Sequence, residues 1–277
     1  MSATMRTALA AALAALLSLS AACRDEDAGA GGASATTTTT GAGAGGATTG
    51  VGGAGGAGTA GAGGEAAGGA GGGAPSGYGA LSGTCGVINL DDIESPAPQV
   101  VENAIDLTGR PAFDPLLLSP GGQEIFEDCN LGGSSLYSEI FAYEVLYRCD
   151  GAALLKTEAE IVYAIDGKKT DLLVEIDGAK VGVSVVRAVS FPEGAAYPVW
   201  QALDVLEDKL ADILLSSANV APEDAWEKQI VSVVAQSPEH ASAIEQAYAM
   251  IDAGTKADTI VVITVTDGDD AYIYYNN

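Results

Sequence analysis

The 277-residue chain carries 37 acidic against 12 basic residues, a net charge of −25, with one histidine, four cysteines and 37 glycines. Four of the acids and two of the bases precede residue 84, so residues 84–277 hold 33 acids against 10 bases, a net of −23. Such a field repels a polyanion whose binding rests on Lys and Arg displacing counterions; it argues against nucleic acid as a partner and leaves cations, basic surfaces or a protein as compatible ones. One histidine also leaves no zinc-type Cys/His spacing.

In chain order, residues 1–6 bear one positive charge and 7–19, "TALAAALAALLSL", form an apolar run. As a helix this run is roughly 20 Å long, short of a ~30 Å hydrocarbon core. A basic start, a short apolar run and the small-residue site "SLSAAC" describe a secretory signal over 1–22, cleaved between Ala22 and Cys23. The stretch resembles a bacterial lipoprotein signal. That resemblance implies lipidation of Cys23, anchoring of the chain to a membrane through it, and residence in the cell envelope. Ser20 stands where the lipoprotein pattern usually has Leu, and Ser20 with Ala22 also suits an ordinary signal peptidase, which would give a secreted protein.

Residues 23–83 follow as a lipidated N-terminus and linker, almost wholly Gly, Ala and Thr from 28 onward. So little apolar side-chain area does not offset ordering entropy, and the segment is expected to be disordered, a tether spanning about 40 Å.

Residues 84–277 suit a single domain. Segment 84–133, rich in proline and glycine, reads as loops. "SLYSEIFAYEVLY" (135–147) has the spacing of an amphipathic helix. "EIVYAI" (160–165), "DLLVEID" (171–177) and "VGVSVVRAV" (181–189) read as strands, the last two joined by a turn at "DGAK". A helix over 199–217, a strand over 229–235, and a helix capped by Ser237 with Pro238 at its first position come next. An apolar strand (258–266), a turn at "DGDD" and a last strand "AYIYY" (271–275) close the chain. The expected fold is α/β, a mixed central sheet flanked by helices. Cys129 and Cys149 flank the first long helix and form the candidate disulfide, with Cys85 as an alternative partner for either.

The order helix, three strands, helix, strand over about 134–235 resembles the core of restriction-endonuclease-like, PD-(D/E)xK domains. In that family an Asp opening the second strand and a (D/E)xK on the third converge on Mg²⁺. Asp171 matches the first acid. Ser184 and Val186 stand where the second acid and the lysine belong, so the resemblance implies a degenerate site. Alternation along a strand puts Ser184 and Val186 on one face and Arg187 on the other, out of reach of Asp171. A rearranged active site would draw on Asp171, Glu175 and Lys169, with Asp171 and Glu175 holding Mg²⁺ and Glu160, Glu139 or Glu144 adding an acid.

Trp226 reads as a packing anchor, with Lys228 and Gln229 beside it. His240, beside a helix N-terminus, is expected to be solvated, with no nucleophile–base pair built on it. Three readings follow: a catalytically degenerate nuclease-like domain acting as a binding or structural module without a cofactor; an active Mg²⁺-dependent nuclease with a rearranged site; or an unrelated α/β domain of the cell envelope.

Overall fold

The computed structural model describes residues 77–128 and 135–275. The signal, Cys23, most of the linker and Cys129 lie outside the described residues. The described residues build one seven-stranded mixed sheet flanked by helices, an α/β fold.

The elements are β1 (Ala80–Gly83), α1 (Leu90–Glu94), β2 (Gln99–Asp106), α2 (Pro120–Asp128), α3 (Leu136–Asp150), β3 (Ala153–Thr157), β4 (Leu172–Ile176), β5 (Ala179–Ala188), α4 (Val199–Asn219), β6 (Lys228–Ala235), α5 (Pro238–Met250), α6 (Ala253–Lys256), β7 (Ile260–Asp267) and α7 (Ala271–Tyr275). Across the sheet the order is β1-β2-β7-β6-β5-β4-β3. The strands β2, β7, β6 and β5 are parallel, while β1, β4 and β3 pair antiparallel at the two sides. Of the parallel strands, β5, β6 and β7 are rich in Val and Ile, as strands covered on both faces must be, whereas β2 alternates buried and exposed positions.

The β4–β5 turn is Asp177-Gly178, with φ of 50° and 85°. Two consecutive positive φ values in a two-residue loop match the twist of the flanking strands, so the Asp-Gly pair fixes the hairpin register. The Ser237 side chain accepts from the His240 backbone N–H and Pro238 opens α5, as the sequence indicates.

Each face of the sheet has its own core. One is covered by α3 and α7, with Tyr78, Phe113, Phe141 and Tyr272 packed ring on ring. The other is covered by α4 and α5 through Leu206, Leu210, Ile213, Ile244 and Ala247.

The structure corrects several expectations. The folded part starts before residue 84: Tyr78 is buried and β1 pairs with β2. The supposed loop region holds α1, α2 and the eight-residue β2. The alternation of β2 is hidden because the buried polar Asn103 sits between Val101 and Ile105. Residues 160–165 are not a sheet strand; they meet the chain after α4 through a bridge between Tyr163 and Val220, and β3 lies earlier. The final "AYIYY" is helical. Both sides of β7 are already taken by β2 and β6, so a returning hairpin strand has no edge to pair with. Cys149 bonds Cys85 rather than Cys129, tying the end of α3 to the segment after β1. Among the described residues, no helix is long and apolar enough to cross a membrane.

Candidate functional site

Asp171 immediately precedes β4 and is held in register by its own N–H, which donates to the Val183 carbonyl at 3.1 Å. The Asp171 carboxylate then meets β5. Its Oδ2 accepts from Ser184 Oγ at 3.0 Å and from the Val185 backbone N–H at 2.6 Å. Lys209 on α4 reaches Ser184 Oγ at 3.4 Å. Val186 packs with the α4 and α5 side chains on this same face. Arg187 projects to the other face, where it donates to the carbonyls of Ile273 and Tyr274 at 3.2 and 3.3 Å. The site is thus a carboxylate, a buried hydroxyl and an ammonium in sequence, with its one acid engaged by two donors from the chain itself.

The remaining candidates do not gather around Asp171. Glu175 is exposed, pairs in register with Lys180 beside the hairpin turn, and lies four residues along the strand, about 13 Å away. Lys169 is exposed with its ammonium 5.9 Å from the centre of the Tyr163 ring. Glu160 accepts from the Thr157 N–H. Glu139 and Glu144 are both buried, although five positions apart, because α2 and the sheet cover α3 from two sides. Glu144 accepts from the N–H and the hydroxyl of Ser119 at 2.8 and 2.6 Å, at the start of α2. Burial raises its pKa, against the lowering by Ser119.

Mg²⁺ asks for near-octahedral oxygen coordination, usually with carboxylates supplying part of it. Among the described residues, no three His, Cys, Asp or Glu side chains are grouped to hold a metal. Asp171 without Glu175 does not fit a Mg²⁺ site.

Trp226 packs flat on Gly182, where a Cβ would lie 2.6 Å from ring atoms, and its Nε1 donates to Ser217 at 2.8 Å. Lys228 is fully buried and donates to the Ser95 carbonyl at 2.5 Å. In "DGDD", Asp269 is engaged by the loop after β2, accepting from the N–H groups of Gly109 and Arg110.

His240 overturns the expectation of a solvated side chain. It is 9% exposed, with Ser190 Oγ 2.9 Å from Nε2, Ser237 Oγ 2.9 Å from Nδ1, and the Tyr197 ring stacked at 4.8 Å. A nucleophile-type hydroxyl and a base therefore do meet in this chain. Their fifty-residue separation gave no local signal.

No family model matches the chain, and no solved structure matches it. The AAC-rich mRNA clone AAC4 protein of Dictyostelium discoideum is similar, 37% identical over 186 residues, which is 65% of this chain and 25% of that protein. The match spans about a quarter of that relative's length.

Proposed function

We propose that this is an exported, lipid-anchored protein whose α/β domain uses a nuclease-like frame without its catalytic groups, as a binding or structural module. The observation that carries this reading is the closed arrangement at Asp171. Its carboxylate is taken up by Ser184 and the Val185 N–H, and the strand position two beyond Ser184 is the apolar Val186. The order α3-β3-β4-β5-α4-β6, with β5 and β6 parallel, supports the frame. The strong negative charge favours a cationic or protein partner over a polyanion.

The test is incubation of the purified chain with plasmid, single-stranded DNA and RNA in Mg²⁺ or Mn²⁺. No cleavage is expected. Cleavage that disappears in Asp171→Ala would replace this reading with an active nuclease. Export and anchoring are tested separately, by incorporation of labelled fatty acid in a bacterial host, expected in the natural chain and absent in Cys23→Ser.

A further inference from the structure

We infer that Ser190 is a latent nucleophile, activated by His240 and covered by Tyr197, for acyl transfer from a neutral ester. The site goes beyond the reading of Asp171 and is separate from it: Ser190 lies six residues past Ser184 along β5 and the segment leaving it, roughly 20 Å away.

The hydrogen bonds fix the proton positions. Ser237 Oγ donates its one hydrogen to Glu239 Oε2 at 2.7 Å, so it can only accept from His240 Nδ1. His240 therefore carries its proton on Nδ1. Nε2 is left with a lone pair, and that lone pair faces the Ser190 hydroxyl. The result is a nucleophile, a base and an orienting group in line, the proton-transfer part of the arrangement that serine acyl transfer uses. Burial also lowers the His240 pKa, against the neighbouring Glu239, which keeps the imidazole in the neutral form a base needs.

Placement agrees. Ser190 follows the carboxyl end of β5, and His240 opens the helix that follows β6. Open α/β sheets bind ligands outside the carboxyl ends of their parallel strands.

At rest, Ser190 is only 2% exposed. The segment that follows it, 191–197, runs over the surface with Phe191 90% exposed and Gly194 at a φ of 76°. Tyr197 closes the segment by stacking on His240, and its buried hydroxyl has no hydrogen-bond partner. Lifting the ring breaks no hydrogen bond of that hydroxyl and lets it reach water. In the open form Ser190 Oγ bonds to the acyl carbon as its proton passes to Nε2. The ester C–O bond then breaks and the proton leaves with the alkoxide. Water repeats the sequence on the acyl-serine, restoring Ser190 and releasing the acid. The exposed Phe191 and Trp200 suit an apolar acyl group.

The test uses a fluorophosphonate probe with peptide mapping, on the natural chain and on Tyr197→Ala. Labelling is expected at Ser190, faster in Tyr197→Ala and absent in Ser190→Ala. In His240→Gln it should be at least about 100-fold slower, the effect of losing a general base. The labelling rate should rise with pH through a midpoint below the ordinary histidine value. Imidazole ¹⁵N shifts should show an unprotonated Nε2 at neutral pH. No label at Ser190 in either the natural chain or folded Tyr197→Ala would overturn the inference, as would labelling undiminished in folded His240→Gln or a proton found on Nε2.

Discussion

The two faces of the sheet are built from different materials. The face under α3 and α7 is aromatic, closed by interlocked rings, and pinned at its end by the Cys85–Cys149 disulfide. It also buries polar groups without partners: both ends of the Asn103 amide and the hydroxyls of Ser232 and Thr264. The face under α4 and α5 is mainly aliphatic, and beside the unpartnered Tyr197 hydroxyl it has polar groups joined in short chains, Lys209–Ser184–Asp171 and Ser190–His240–Ser237. One face is stable by mass and covalent closure despite unpaired groups. The other places its polar atoms where they can act.

The largest break in this contrast should come from opening the disulfide. It spans 64 residues, and chain entropy alone gives about 4 kcal/mol for a loop of that size. Denaturant midpoints of Cys85→Ala/Cys149→Ala should fall accordingly, and the near-ultraviolet signal of the aromatic face should weaken first.

Next comes Asp150, at the same end of α3. Burial raises its pKa to about 6, against the backbone N–H groups of Ile88, Gly86 and Val87 that donate to it. Between the ordinary aspartate value and about 6, the folded chain holds a proton that the unfolded chain has released. This group therefore adds stability as pH falls through that window and withdraws it as pH rises, by about 2 kcal/mol after allowing for solvent. Melts of Asp150→Asn against the natural chain at pH 4.5 and 7.5 should show the dependence flattened.

Smaller effects separate the faces further. Thr264→Val removes a buried unpartnered hydroxyl at nearly constant shape and should raise stability by about 1 kcal/mol. On the other face, Ser237→Ala should lower it by about 1 kcal/mol, since that hydroxyl caps α5. If Thr264→Val destabilises in a urea titration, the aromatic face is not the one that tolerates unpaired groups.

Elements whose pattern is local were legible in the sequence. The 177–178 turn, the helical spacing of Leu206 and Leu210, and the Ser237-Pro238 cap each carry their reason within a few residues. The neighbouring placement of Asp171 and Ser184 followed from the same hairpin arithmetic. Features decided at a distance were not legible. Strand β2 exists because β7 offers it a parallel edge, and α7 is a helix because that edge is filled. Which cysteine meets Cys149 depends on where the chain after β1 returns. Ser190 and His240 meet because β5 and β6 lie side by side, a fact that neither local stretch contains.

Lys228 lies at the start of β6, its ammonium held by the Ser95 carbonyl and 3.7 Å from Asp258. It alone of the seven lysines is sealed from solvent. An amine-acylating reagent should mark the other six within minutes and spare this one until the sheet itself comes apart. The lag before its modification would then time whole-domain opening, with no dye or mutation added.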